Sequence, residues 1–186
     1  MMRNLSKPAT RAGGLAILLA VALSSGAADS ASPEPDAGTL VTVRKLNWRT
    51  AEKLASEAVS ICEQRGYSVT ASVVDPSGHQ QAVVKGDDAA LQTLSVSYRK
   101  AYTAFSYGKT FNKNTTSELI KAKVTGPLDG GVLATEPEII FIAGGVTLRA
   151  HDGGVIGGLG VSGAPGGDKD EACAVDAIAG LKGLLH

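Results

Sequence analysis

The chain has 186 residues, enough for one well-buried domain but not comfortably for two. Lysine plus arginine and aspartate plus glutamate both total 18, so no net charge attracts the protein to nucleic acid or an anionic membrane, and we expect no nucleic-acid partner. Apolar residues make up 44% of the chain, aromatic residues only 4%, and 23 residues are glycine. This composition predicts a globular core of small aliphatic side chains with many tight turns.

The first 28 residues have the pattern of a secretory signal peptide. A basic segment precedes an uninterrupted small and apolar run over residues 12–23, and Gly26 and Ala28 place small side chains where a signal peptidase reads. The apolar run is shorter than the roughly 20 residues that a membrane-spanning helix needs. We therefore predict cleavage near Ala28, a secreted or periplasmic protein, and no membrane span after cleavage of the signal peptide at residues 1–28.

Residues 29–39 contain two prolines and a glycine and predict a flexible linker, so the expected domain covers residues 40–186. An alternating, β-branched run over residues 39–43 predicts a short strand where the domain begins. Asn47 then has the position of a helix cap, because apolar residues recur after it at helical spacing until Gly66.

Two β-rich runs at residues 67–74 and 80–85 flank the turn sequence DPSGH and predict a hairpin. Residues 88–107 predict a second helix. The segment 114–116 precedes SELIKAK and predicts the cap of a short third helix, with a glutamate in its first turn. The stretch 124–137 is rich in glycine and proline and predicts a loop.

The last part of the chain predicts three short strands and a terminal helix. The strands cover residues 138–143, 146–150 and 155–161, with glycine-rich turns between them, and the helix starts at Asp168 or Asp170. Together these helices and six candidate strands predict an α+β fold, in which an antiparallel sheet of five strands is packed by helices.

Cys62 and Cys173 are the two cysteines of the chain. Export to an oxidising compartment allows them to form a disulfide but does not require it. Cys62 falls on the apolar stripe of the first predicted helix, where a free cysteine serves as a small hydrophobic residue. We therefore favour free thiols, and a distance between the two Cα atoms within bridging range would reverse this interpretation.

The sequence lacks the motifs of several catalytic and cofactor sites. The run GGVIGGLGVSG lies within and just after a predicted strand, so it does not fit the strand, turn and helix order of a dinucleotide site. The histidines at 79, 151 and 186 lack the spacing of a metal site. There is no GxSxG elbow for a hydrolase triad and no CxxCH for covalent haem attachment. No catalytic set is visible.

Residues 97–123 concentrate most of the aromatic residues and interleave them with lysine and arginine. Such a mix could line a pocket for a flat apolar ligand with acidic edges, because rings stack on its plane and cations bind its carboxylates. The alternative is an amphipathic helix whose rings pack in the core and whose charges are solvated. The pattern by itself favours that alternative.

Five segments of the chain resemble, in order and spacing, the GlcG/HbpS-like haem-binding proteins. They are SVVDPSGHQQAVVKGDDA, SYRKAYTA, TTSELIKAK, FIAGGVTLR and GGVIGGLGVSGAPGGDKDEACAVDAI. The resemblance covers about residues 40–186, and the last segment is the most specific. It implies a profilin-like α+β fold, assembly as a homo-oligomer, commonly an octamer, and non-covalent binding of haem b or its iron.

The resemblance also implies site residues. NTTSEL resembles the family segment in which a threonine supplies an oxygen ligand to haem iron, and Thr116 is the matching residue. A neutral hydroxyl is a weak axial ligand, which suits loosely held haem. The other role open to Thr116 is helix capping, and His79 is the alternative iron ligand. The expected pocket residues around Thr116 are Tyr102, Phe105, Phe111, Lys100, Lys113 and Leu119.

Three functions follow as hypotheses. The first is an exported haem-binding protein that buffers haem or iron, or senses redox state or haem beside the extracellular domain of a sensor kinase. The second is an accessory protein or enzyme of small hydroxy-acid (glycolate) or corrinoid metabolism. The third is a purely structural partner of a sensor's extracellular domain.

Overall fold

The structure is a computed structural model that describes residue 38 and residues 40–124, 126, 135–181 and 183. The predicted signal peptide, nearly all of the predicted linker and most of the predicted loop lie outside these residues. From Val41 onward the chain forms one compact unit. Its elements are α1 Trp48–Gln64, β1 Thr70–Val74, β2 Gln80–Lys85, α2 Thr93–Phe111, α3 Thr116–Lys121, β3 Gly145–Arg149, β4 Val155–Ser162 and α4 Gly167–Gly180.

The strands of the described residues form one antiparallel sheet in the order β2-β1-β4-β3. In the centre of the sheet, Gly160 of β4 lies opposite Ser72 of β1 on one side and opposite Gly145 of β3 on the other. The predicted α+β class, with helices packed on an antiparallel sheet, is therefore confirmed.

The prediction of five strands is wrong, because the described residues form four. Residues 40–43 form no strand, and Val41 is 90% exposed. Residues 138–143 are not a strand either, because side chains of α2 form hydrogen bonds with their backbone. The guanidinium of Arg99 donates to the carbonyl of Ile139 at 2.9 Å. The N–H of Ile140 donates to the Thr103 hydroxyl at 2.8 Å.

One face of the sheet is apolar and packs against α1 and α4. Residues that alternate along the strands, among them Val73 and Leu159, join the buried core there. Cys62 of α1 and Cys173 of α4 form a disulfide within this core, with 5.5 Å between their Cα atoms. The prediction of free thiols is wrong, because the apolar stripe that buries Cys62 also brings it against the matching stripe of α4.

The opposite face of the sheet is built from serine, threonine and glycine and packs against α2. Buried hydroxyl pairs join strand to helix: Thr70 with Thr93 at 2.7 Å, and Ser72 with Ser97 at 2.8 Å. A Cβ on Gly160 would lie 2.5 Å from the Ala101 nitrogen. The helix therefore approaches the backbone of β4 more closely than any side chain there would allow.

Two predicted helix caps are confirmed, whereas the second helix covers Thr93–Phe111 and not the predicted residues 88–107. The Asn47 side chain accepts a hydrogen bond from the N–H of Thr50 at 3.0 Å and caps α1. The Thr115 hydroxyl accepts from the N–H of Glu118 at 3.1 Å and caps α3. Among the described residues, no helix is long and apolar enough to cross a membrane.

Candidate functional site

A cavity of about 580 Å³ lies at the β3 edge of the sheet, between this strand and α4. Its walls are mainly small and apolar, and its polar groups come from β3, from the turn that follows β3 and from the segment before α3. Its lining residues are Asn114, Thr115, Val146, Thr147, Arg149, Ala150, His151, Val175, Ile178 and Ala179.

The segment before α3 is held against β3 by backbone hydrogen bonds. The N–H of Thr147 donates to the carbonyl of Asn114 at 2.8 Å, and Thr115 forms an isolated antiparallel bridge with Val146. The Thr147 hydroxyl lies 2.7 and 3.0 Å from the carbonyls of Ala104 and Lys113, which share its single hydrogen. The hydrogen bonds that pair this segment with the edge strand β3 therefore also fix this wall of the cavity.

Arg149 places a cation at the cavity, and its guanidinium donates hydrogen bonds to neutral oxygens. Its guanidinium bonds the Asn114 and Asn112 side-chain oxygens at 3.0 and 3.1 Å and the Gly153 carbonyl at 3.0 Å. None of the ion pairs found among the described residues includes Arg149. The guanidinium is therefore a rigidly held positive charge beside apolar walls, where an anion gains more than it would in bulk water.

His151 lies in the turn between β3 and β4 and is one of the residues that line the same cavity. The turn is fixed by Asp152, whose carboxylate accepts from the N–H of Gly154 at 3.0 Å and pairs with Arg44 at 2.7 Å. These two contacts hold the pKa of Asp152 below its ordinary value. In the sequence, His151 is only one of three histidines that lack the spacing of a metal site.

The predicted iron ligand, Thr116, is buried inside the fold with 0% of its surface exposed. Its hydroxyl accepts from the N–H of Gly145 at 3.0 Å and donates to the Glu171 carboxylate at 3.2 Å. The same carboxylate accepts from the N–H groups of Ser117 and Gly144. A ligand role for Thr116 stays a prediction, and it requires the hydroxyl to leave these partners.

Lys100, predicted to meet a ligand carboxylate, is 2% exposed and pairs with Asp170 at 2.7 Å. Its ammonium also donates to the carbonyl of Val161 at 3.0 Å. The Asp170 carboxylate accepts from the N–H of Ala164 at 2.9 Å. This buried pair ties α2 to the first turn of α4 at the end of the sheet.

The other predicted residues lie apart from one another. Tyr102 packs under Gly78 in the β1–β2 turn, where His79 is exposed; Phe111 stacks on Tyr107 with ring centroids 5.8 Å apart. Phe105 is half-buried against β4, Leu119 is buried, and Lys113 contributes its carbonyl to the bonds of Thr147.

The cavity lining includes none of the seven residues predicted for the haem pocket. Their assignment stays a prediction, and the structure instead brings Arg149 and His151 together at the cavity. The sequence carried one signal for this pair: a basic residue ends the predicted strand and a histidine begins the glycine-rich turn after it. It gave no sign that β3 is an edge strand, which is what opens a cavity beside it.

The chain belongs to the HbpS-like family. Residues 46–179 match the family described as "Haem degrading protein HbpS-like". The match covers both central strands, the cavity and all but the last residue of α4, which confirms the family resemblance drawn from the sequence.

Solved structures of related proteins have the same fold. The crystal structure of HbpS is 35% identical, with a TM-score of 0.69, and the match covers 80% of this chain and 98% of that one. A double mutant of HbpS from Streptomyces reticuli is 34% identical, with a TM-score of 0.68 over 82% of this chain and 97% of that one. A PduOC:haem complex is 29% identical, with a TM-score of 0.61 over 73% and 94%.

Among curated proteins, the chain is 29% identical over 142 residues to the corrinoid adenosyltransferase PduO of Citrobacter freundii. This match covers 76% of the chain but only 40% of that protein. The activity of the whole PduO protein therefore does not transfer with the match.

Proposed function

We propose that this protein binds haem non-covalently in the cavity between β3 and α4. The observation that carries the proposal is a cavity of about 580 Å³ with apolar walls and the fixed guanidinium of Arg149. Support comes from the HbpS-like family and from the haem complex of the related PduOC.

The chemistry of the cavity fits a flat apolar ring that carries carboxylates. Side chains such as Val146 and Ile178 offer apolar surface to the ring, and burying such surface is the main favourable term in binding. Arg149 offers a cation that is already oriented. A carboxylate of the ligand can therefore pair with the guanidinium without the entropic cost of ordering a flexible side chain. Bound haem would supply an iron centre whose ligands can exchange. Such an iron centre suits a protein that buffers or senses haem.

The test of this proposal is a hemin titration of the full chain and of two matched variants. Val175 and Val83 are each 43% exposed, but only Val175 lines the cavity. Val175→Glu places a carboxylate against the bound ring and should weaken hemin binding at least tenfold, a change of about 1.4 kcal/mol. Val83→Glu should leave the affinity unchanged.

The readout is the shift of the Soret band as hemin is added. Absence of any shift with the unmodified protein would overturn haem binding. A shift that is equally strong in the Val175→Glu and unmodified proteins would keep haem binding but overturn its location in this cavity.

The cellular role that we propose is export followed by haem or iron buffering, or redox or haem sensing beside a sensor kinase. The signal-peptide pattern of residues 1–28 supports export, and the Cys62–Cys173 disulfide fits an oxidising compartment. Assembly as a homo-oligomer, with an octamer as the form that the family resemblance implies, belongs to the same proposal.

A role in corrinoid metabolism is the second candidate, because part of the chain resembles PduO. A titration with a corrinoid in place of hemin separates the two candidates. Saturable corrinoid binding that Val175→Glu abolishes, without a response to hemin, would favour this second function.

A further inference from the structure

We propose that residues 41–43 form a strap that closes over the cavity once a ligand is bound, an inference that rests on the haem binding proposed above. The segment belongs to the compact unit that starts at Val41. Val41 is 90% exposed and Val43 is 57% exposed, and neither is part of a helix or strand. The two valines therefore offer apolar surface that the described part of the fold leaves in water.

Arg44 holds the end of this segment at the turn between β3 and β4. Its guanidinium pairs with the Asp152 carboxylate at 2.7 Å. A Cβ on Gly154 would lie 2.7 Å from a guanidinium nitrogen of Arg44, so this side chain lies directly on the turn. Ala150 and His151, the residues just before Asp152, line the cavity. The strap therefore starts within one side chain's length of the turn that borders the cavity.

The reach of the strap matches the size of the cavity. Three extended residues span about 10 Å, and a rounded cavity of about 580 Å³ is about 10 Å wide. Side chains two residues apart in an extended chain point to the same side, so Val41 and Val43 can lie on the cavity together while Thr42 stays in water. Val175 lines the cavity and is 43% exposed, which leaves apolar surface there for the valines to contact.

The balance of free energies makes closure of the strap depend on the ligand. Burying two valines is favourable, but fixing the backbone of three residues costs conformational entropy of similar size. A bound porphyrin changes this balance, because the apolar edge of its ring gives the valines a further surface to contact. We therefore expect the strap to be open in the free protein and closed in the complex, where it slows the departure of the ligand.

The experiment measures how fast hemin leaves the full chain, by its transfer to an excess of apomyoglobin. Val41→Ser combined with Val43→Ser should speed dissociation at least about fivefold and change the association rate less than about twofold, because the closed state loses its apolar contacts. Val83→Ser combined with Leu91→Ser is the matched control. These two residues are 43% and 78% exposed, on β2 and before α2, and their replacement should leave both rates unchanged.

The ion pair that anchors the strap gives a second set of variants. Arg44→Ala removes the bond to Asp152 and should also speed the dissociation of hemin. Lys45→Ala is its control, because Lys45 pairs with Asp75 at 3.1 Å, at the other hairpin turn. Hydrogen exchange reports closure directly. The amides of residues 41–43 should exchange at least about tenfold more slowly after hemin is added, and Arg44→Ala should lose this protection.

The outcomes separate the strap from the haem binding beneath it. If hemin leaves the double valine variant at the rate of the unmodified protein, and residues 41–43 gain no protection, the strap is overturned while haem binding stands. If hemin leaves that variant more slowly, the segment competes with the ligand, which also overturns the strap. If the unmodified protein binds no hemin, both the strap and the proposed function are overturned.

Discussion

The face of the sheet under α1 and α4 is apolar and cross-linked, whereas the face under α2 is lined by hydroxyls and glycines. On the first face, side chains fill the space between helix and sheet. On the second, the helix backbone lies almost against the strand backbone, and hydroxyl pairs satisfy the polar groups that this contact buries.

The difference between the faces explains where the cavity can form. α4 is anchored from its inner side by the Cys62–Cys173 disulfide and by the Lys100–Asp170 pair. Its outer side, with Val175 and Ile178, is thereby left to line a cavity at the sheet edge. On the α2 face, by contrast, helix and strand backbones lie in close contact.

Among the substitutions that test this difference between the faces, the largest loss of stability is expected at the ion pair that joins α2 to α4. Lys100→Met leaves the Asp170 carboxylate buried without its cation, which should cost roughly 3–5 kcal/mol of the free energy of unfolding. Replacing both residues, as Lys100→Met with Asp170→Leu, should recover much of that loss. Urea denaturation of the three proteins measures the difference, and equal losses in single and double variants would refute this account of the pair.

The pH dependence of the Lys100→Met variant sharpens the same test. Burial raises the pKa of Asp170 above its ordinary value of 3.8, although the Lys100 ammonium favours the charged form. The folded state therefore keeps the proton more tightly than the unfolded chain, and stability falls as the pH rises from 3.8 through the folded pKa. The deficit of the variant should be smaller near about pH 4 than near about pH 7.

The next largest effect is expected on the apolar face. Replacing both Cys62 and Cys173 by alanine removes a cross-link between residues 111 apart in sequence and should cost roughly 2–5 kcal/mol of the free energy of unfolding. Reductant should lower the stability of the unmodified protein toward that of the variant and leave the variant unchanged. If the denaturation midpoint of the unmodified protein is the same with and without reductant, the disulfide does not contribute to stability.

The smallest of these effects tests the close contact under α2. Gly160→Ala puts a methyl group against the backbone of Ser97 and Ala101, which should cost roughly 1–3 kcal/mol of the free energy of unfolding. Gly180→Ala is the control, because a Cβ there meets nothing within 4 Å. Similar midpoints of thermal unfolding for both variants would show that the helix can move away at little cost.

Local structure could be predicted well from the sequence, because it depends on neighbours along the chain. The caps at Asn47 and Thr115 and the hairpin around DPSGH follow from side chains that bond backbone groups a few residues away. Strand pairing could not be predicted in the same way. Residues 138–143 have a β-rich composition, but α2 offers side-chain partners for their backbone that no local pattern reveals.

The sequence alone determined the α+β class, the antiparallel hairpins and the family, since these rest on periodicity and on motifs that stay contiguous. Only the tertiary structure decided which residues are buried in the fold and which line the candidate cavity. It buried Thr116 and Lys100 in bonds to α4 and paired Cys62 with Cys173. It also brought Arg149 and His151 to a cavity beside an edge strand. The physical reason is that burial and edge position depend on contacts between segments distant in sequence, which residue type does not encode locally.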